Sequence, residues 1–274
     1  MIIILLLIFG LSLGSFVNAL VWRLHEQSKS KKPSKKLSIT KGRSMCPNCK
    51  HELAAKDLIP VISWLSLFGK CRYCKKQISW QYPVVEILTA TLFIISYCYW
   101  SMSLQGSILH ILMYLVFLSG LVIGMALSVY DFKWMFLPDR LVRILAVQGL
   151  LFASLNLLDT TEKYQFLLQL VLSIGVSGGL FYVLFQLSKG KWIGGGDVKL
   201  GLVLGLFLLK PVNGLIMLFV SSVLGCLYAI ILMITGKYKQ GAHIPFGPFL
   251  LLASYVVIVY SDTLLQWLKN YIYL

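Results

Sequence analysis

The chain has 274 residues, 58% of them hydrophobic, and sets only ten acids against 25 lysines and arginines, for a net charge of +15. With a mean hydropathy of +0.81, that composition excludes a soluble globular domain, because apolar runs of about 20 residues, enough to cross about 30 Å of hydrocarbon, recur along nearly the whole length. Helices satisfy their own backbone hydrogen bonds in lipid, so the expected fold is an all-α polytopic membrane protein of about eight transmembrane helices.

The first span is expected at residues 2 to 22. It lacks a basic flank before its apolar core and has Arg23 after it, which describes a retained reverse anchor rather than a cleaved signal peptide. A polar insert follows at 23 to 82. Its lysine and serine run at 27 to 36 cannot bury a core and reads as a mobile tether. Beyond it, Cys46-Pro47-Asn48-Cys49 and Cys71-Arg72-Tyr73-Cys74 are separated by 21 residues, the spacing of a zinc ribbon. Four thiolates complete a tetrahedral Zn²⁺ shell and leave no open position, so the site is expected to be structural. His25 and His51 exceed the required ligand count. A pair of disulfides conflicts with a reducing cytosol, and a redox pair would need only one such motif.

Further spans are expected at 83 to 104, 107 to 130, 141 to 158, 165 to 187, 198 to 209, 212 to 235 and 246 to 261, the sixth of the eight being short. Lys210-Pro211 fits the turn after it, since proline disfavours helix at the preceding residue. Glu86 enters the second span and has two readings, assistance to a substrate site, or snorkelling and pairing with a basic loop residue. Cys98 and Cys226 sit alone in apolar spans and are expected only to pack. His110 and His243 have no evident partner. Three segments result: a first transmembrane helix at 1–22, a four-cysteine insert at 23–82 and a membrane-embedded region at 83–274.

Basic residues remain on the cytoplasmic side of short loops. Residues 23 to 82 hold fourteen of the 25, and Lys133, Arg140, Arg143, Lys189, Lys191, Lys199, Lys237 and Lys239 fall in loops on the same side; Lys163, Lys210 and Lys269 fall opposite. Both termini are thereby expected outside the cytoplasm. No nucleic-acid-binding motif accompanies the positive charge, and anionic lipid of the inner leaflet is its expected partner.

Two acids stand where apolar stretches meet basic segments. Asp131 follows the third span in Val129-Tyr130-Asp131-Phe132-Lys133, and Asp197 ends Gly194-Gly195-Gly196-Asp197 just before the sixth. An ionisable group at membrane depth or at its edge is costly unless it serves a purpose. A glycine run by itself marks a flexible turn, and aspartate is a favoured helix N-cap, so the motif alone is weak; the glycines would also let a substrate strand approach closely. Asp139, beside Arg140 in a proline-bearing turn, reads as the cap of the next helix. Both Asp131 and Asp197 face the cytoplasm by topology, so they can meet. Neither a Gly-x-Ser-x-Gly nor a His-Glu-x-x-His motif occurs, which leaves serine and metallo-hydrolase readings without their parts.

Taken in order, these residues resemble the bifunctional prepilin leader peptidases, also called type IV leader peptidases and N-methyltransferases. The likeness begins at Gly14-Ser15-Phe16-Val17-Asn18 and continues through the first cysteine pair and Ile59-Pro60-Val61-Ile62-Ser63-Trp64. Gly69-Lys70-Cys71-Arg72-Tyr73-Cys74, Ile78-Ser79 and Tyr82-Pro83-Val84-Val85-Glu86 follow. In the membrane half the matching elements are Asp131 with Pro138-Asp139, Gly194-Gly195-Gly196-Asp197 and Ile244-Pro245-Phe246-Gly247-Pro248-Phe249-Leu250. Met135-Phe136-Leu137 stands where an isoleucine before Pro-Asp is more usual.

The resemblance implies an intramembrane-type aspartyl protease of the bacterial plasma membrane with catalytic Asp131 and Asp197. Its substrates would be type IV prepilins or pseudopilins, cut after a short basic leader, and the new N-terminus would be methylated from S-adenosylmethionine. Residues Gly194, Gly195 and Gly196 are the candidate surface for the unwound substrate strand. The competing readings are an ion-coupled transporter, for which no internal repeat is seen, and an assembly scaffold whose zinc insert docks a cytosolic partner.

Overall fold

A computed structural model describes residues 1–29, 37–39, 42–100, 102, 104, 106–236 and 244–272, with side chains through residue 260. Most of the expected tether, at 30–36, lies outside the described residues, as do Lys237, Lys239 and His243. In chain order the helices are α1 (Ile2–Ser28), the short α2 (Ile62–Ser66), α3 (Gln81–Tyr99), α4 (Ile108–Trp134) and α5 (Asp139–Asp159). Next, α6 (Lys163–Ile174) runs through a π-helical turn at Gly175–Gly179 into α7 (Leu180–Ser188), followed by α8 (Gly195–Leu208), α9 (Pro211–Ile234) and α10 (Gly247–Ile272).

Each of the eight expected spans is therefore a helix. Six are long and apolar enough to cross a membrane: α1, α3, α4, α5, the continuous Lys163–Ser188 helix and α9. The remaining two are shorter. At fourteen residues, α8 reaches only about 21 Å, and α10 is apolar over Gly247–Tyr260 before non-helical angles at Tyr260.

The chain divides into two compact units, Met1–Cys98 and Tyr99–Leu274. In the first unit α1 and α3 approach backbone to backbone. A Cβ on Gly10 would stand 2.5 Å from the Ala90 Cα, and one on Gly14 would stand 2.6 Å from the Glu86 Cα. Only glycine permits that approach, and the four-residue spacing puts both on one face of α1. Polar bonds lock the lower register: Asn18 donates to the Tyr82 carbonyl at 3.1 Å and accepts from the Gln81 amide at 3.1 Å. Arg23 is 5% exposed because its guanidinium donates to the carbonyls of Ser38, Ile39 and Gly42 at 2.9 to 3.1 Å.

In the second unit α8 is the helix that the others surround, with contacts to α5, α6, α7, α9 and α10. Val198, Leu200 and Val203 through Leu208 are all buried, as expected for a helix apolar on every face. Its close packing on α6 and the π-turn again depends on glycine. A Cβ at Gly201 would meet the Ser177 carbonyl at 2.6 Å, and one at Gly205 the Ile174 Cα at 2.6 Å. Ser173 donates to the Gly205 carbonyl across this contact at 3.0 Å.

Candidate active site and metal centre

Asp131 occupies the last two turns of α4. The helix closes just after it on Met135, which takes the left-handed conformation and returns its N–H to the Asp131 carbonyl at 2.8 Å; Pro138 then prevents continuation. The Asp131 side chain is buried, 5% exposed, and its Oδ2 accepts the Gly247 N–H at 3.1 Å. That N–H opens α10, so the positive end of a helix faces the carboxylate. A Cβ at residue 247 would stand 2.8 Å from the same oxygen, so any larger residue there displaces the carboxylate.

Asp197 lies in the first turn of α8, with Gly194 as the N-cap residue. Its N–H bonds the Gly194 carbonyl at 3.1 Å, and its carboxylate accepts from the Gly194 backbone. The expected flexible glycine turn is therefore partly helical: Gly195 and Gly196 belong to α8. Asp131 and Asp197 come within electrostatic reach of each other. Leu137, buried in the connecting loop, joins their surroundings, since the Cβ positions of Gly196 and Gly247 fall 3.3 and 3.4 Å from its side chain.

Asp139 stands apart from this pair. It is the first residue of α5, Pro138 holds the N-cap position, and no cap bond forms from the side chain. The expected capping role is corrected: Asp139 is exposed and pairs with Lys199 at 2.7 Å. His110 is corrected likewise, because its ring meets Asp159 at 3.3 Å. Cys98 and Cys226 are exposed rather than packed.

In the insert, the four cysteines Cys46, Cys49, Cys71 and Cys74 bring their Sγ atoms within 4.8 Å of one another, and none is in a disulfide. Each pair sits on its own hairpin, and the two hairpins are built alike. The Cys46 N–H bonds the His51 carbonyl and the Lys50 N–H the Cys46 carbonyl; Cys71, Lys76 and Lys75 repeat both bonds. Lys50 and Lys75 share a left-handed φ of 58° and 59°, and the bridges Met45 to Glu52 and Lys70 to Gln77 close the two turns. A tetrahedral metal with bonds of about 2.3 Å sets its sulfurs about 3.8 Å apart. Cys46 and Cys74 stand at 3.9 Å, so the donor set fits.

Burial pushes the Cys46 thiol up to about 11. Burial works the same way on Cys71, but the N–H groups of Cys74 and Tyr73, with the neighbouring thiols, bring it down to about 7. His51 is exposed and stacks on Tyr73 with ring centroids 3.7 Å apart, outside the thiol cluster.

Two residues that the sequence did not single out brace the insert. Asp57, its side chain 4% exposed, accepts from Arg72 at 2.7 Å and from the Tyr73 hydroxyl at 3.1 Å. Burial would raise its carboxyl, yet these bonds and the Ala54 N–H hold it below the ordinary carboxylate value. Val61 adopts φ 61°, ψ −52°, and the Ile62 N–H reaches back to the Pro60 carbonyl, which defines a strained γ-turn. The Val61 N–H is donated to Glu86 Oε2 at 2.7 Å. Glu86 is 5% exposed, so it does not snorkel, and among the described residues it pairs with no basic side chain; it accepts from Val61 and the Ser15 side chain.

Comparison with known proteins places these two regions in a lineage. Residues 8–101 match the bacterial peptidase A24 N-terminal domain, and residues 115–230 match the type IV leader peptidase family. A prepilin leader peptidase/N-methyltransferase of Aeromonas salmonicida is 33% identical over 96% of this chain and 92% of its own length. The chain belongs to the type IV leader peptidase family. Other members similar to it are the prepilin leader peptidase/N-methyltransferase of Bacillus subtilis, 31% identical over 96% of both chains, and the type 4 prepilin-like proteins leader peptide-processing enzyme of Escherichia coli, 32% identical over 91% of this chain and 90% of its own. No solved structure matches the chain. As a family member with six membrane-length helices, it is a multi-pass protein of the bacterial inner membrane.

Proposed function

We propose that this protein is a membrane aspartyl endopeptidase that removes the short basic leader from type IV prepilins or pseudopilins at the cytoplasmic face, and then methylates the new N-terminus from S-adenosylmethionine. The relatives' names support both halves. The observation that carries the proteolytic half is the approach of Asp131 and Asp197, two acids supplied by the ends of different helices.

Like charges so placed do not both ionise readily, and the pair holds one proton between them. The ionised member takes a proton from water as the oxygen attacks the scissile carbonyl. The protonated member gives its proton to the carbonyl oxygen, forming a tetrahedral diol. Collapse breaks the C–N bond, and a proton passes to the departing amine. The pair titrates as a unit, so the two roles belong to the dyad. Proton transfer of this kind contributes about 10² to 10⁴ in rate.

Gly247 orients the Asp131 carboxylate by holding one oxygen. Gly194, Gly195 and Gly196 form the receiving surface for the unwound substrate strand: Gly194 and Gly195 are exposed, and the N–H groups of Gly195 and Gly196, in the first helical turn, have no intrahelical partner. Eight apolar helices and the distribution of basic residues support both termini lying outside the cytoplasm. In this reading segments 1–22, 23–82 and 83–274 act as anchor, insert and protease, and the insert is cytoplasmic. Zinc is the metal we assign to Cys46, Cys49, Cys71 and Cys74, where it closes two hairpins that cannot bury a core of their own. When bound, S-adenosylmethionine would supply the methyl group for the new N-terminal amine, which would lose one proton as the donor leaves as its thioether.

The test is Asp131→Asn and Asp197→Asn, each co-expressed with a prepilin. Both are expected to abolish leader removal while the protein still inserts in the membrane. Cleavage surviving in both variants would overturn the protease assignment. Mass spectrometry of the mature N-terminus checks methylation, and an unmodified amine with donor present removes that half.

A further inference from the structure

The first unit encloses a cavity of about 150 Å³ between α1, the start of α3 and the two cysteine hairpins. Its walls are chiefly apolar and aromatic, with Ala19 and Trp22 from α1, Trp64 from the insert and Tyr82 from α3. Glu86 brings a carboxylate to the same wall at 5% exposure. That carboxylate accepts from Val61 and Ser15, and among the described residues no lysine, arginine or histidine forms an ion pair with it. Arg23 and Arg72 line the cavity too, yet the Arg23 guanidinium is committed to the three carbonyls of Ser38, Ile39 and Gly42 and Arg72 to Asp57, while Lys50 stands over the Trp22 ring at 4.7 Å.

A carboxyl buried without a counter-ion favours its neutral form, and it ionises at little cost only when something positive arrives beside it. The cavity selects what that is. A strongly hydrated metal ion or free ammonium gains little from aromatic walls, whereas an organic cation with apolar substituents is attracted both to ring faces and to the carboxylate. Drug-sized ligands occupy about 300 to 1,000 Å³, so a space of this size takes the charged arm of a larger ligand and leaves the rest outside it.

We propose that this cavity seats the methylsulfonium arm of S-adenosylmethionine, with Glu86 as its counter-charge and Trp22, Trp64 and Tyr82 as its apolar enclosure. The inference rests on the methyltransferase half of the proposed function and locates the donor in the first unit. It also gives a reason for the strained turn at Val61, whose N–H holds one Glu86 oxygen and so fixes the carboxylate before the ligand enters.

The test is calorimetric binding of S-adenosylmethionine and of S-adenosylhomocysteine, whose sulfur is uncharged, to the full-length protein in detergent, alongside metal analysis and prepilin cleavage. Glu86→Gln keeps an acceptor for Val61 and removes the charge. It is expected to weaken S-adenosylmethionine binding by at least about 30-fold, with S-adenosylhomocysteine binding unchanged and metal retained. Equal affinities for both ligands in wild type and variant, or an equal loss of both, would overturn the charge pairing. A second variant, Ala19→Phe, fills the space without touching Glu86 and is expected to exclude both ligands with metal retained; full binding by that variant overturns the location. Wild-type protein that cleaves prepilin but binds neither ligand removes the methyltransferase reading itself, an outcome that needs no variant.

Discussion

Gly247 donates its N–H to Asp131, and a Cβ at that position would crowd the same oxygen at 2.8 Å. Gly247→Ala is therefore expected to slow prepilin cleavage by about 100-fold, the cost of displacing a reacting group by an ångström or less, with the melting temperature little changed. Asp139→Asn is expected to leave cleavage and melting temperature at wild-type values, because that acid is exposed and bonded to Lys199. The two acids proposed as the pair were legible as residues, since carboxylates are rare in this chain and rarer beside apolar spans. Gly247 was not, although it lies within the Pro-Phe-Gly-Pro run that carries part of the family likeness. Its part comes from a backbone N–H reaching across 116 positions, and glycine announces no such contact in a sequence. Glu86 was visible as an anomaly, but its partner Val61 became identifiable only through a backbone conformation that valine rarely adopts.

At the scale of elements, hydropathy located all eight apolar helices because length and apolar content alone decide them. What it could not show is why α8, too short to span, lies at the centre of its unit. The explanation is in its glycines, spaced so that Gly201 and Gly205 share the face turned to α6 and the π-turn. Gly205→Ala is expected to destabilise the protein by about 1 to 3 kcal/mol through overpacking, read as a lower melting temperature in detergent. Gly179 lies in the same π-turn with nothing near its Cβ position, so Gly179→Ala is expected to be neutral or stabilising by up to about 1 kcal/mol. Equal losses from both changes would show that helix propensity, rather than close approach, governs this contact.

For the whole molecule, charge and hydropathy described the class and the cysteine spacing described the insert, but the internal repetition of that insert emerged only from its hydrogen bonds. Metal analysis of purified protein is expected to find about one zinc per chain, consistent with one four-ligand shell. Zinc binding requires loss of thiol protons, and burial pushes the Cys46 thiol up to about 11. Affinity should therefore rise from pH 6 to pH 8, with protons released on loading, as titration in a weakly buffered solution would show. Removal of zinc by a chelator is expected to open residues 42 to 80 to protease while the membrane helices remain intact.

The matched hairpins also set an order in time. Neither one holds more than two thiolates, so a nascent chain with only the first hairpin outside the ribosome has half a coordination shell. The metal can be enclosed only after Cys74 has been made, eight residues before Tyr82 and twelve before Glu86. The insert thus becomes able to close just as α3 begins to emerge, and the helix that completes the cavity arrives at a hairpin pair already capable of receiving it.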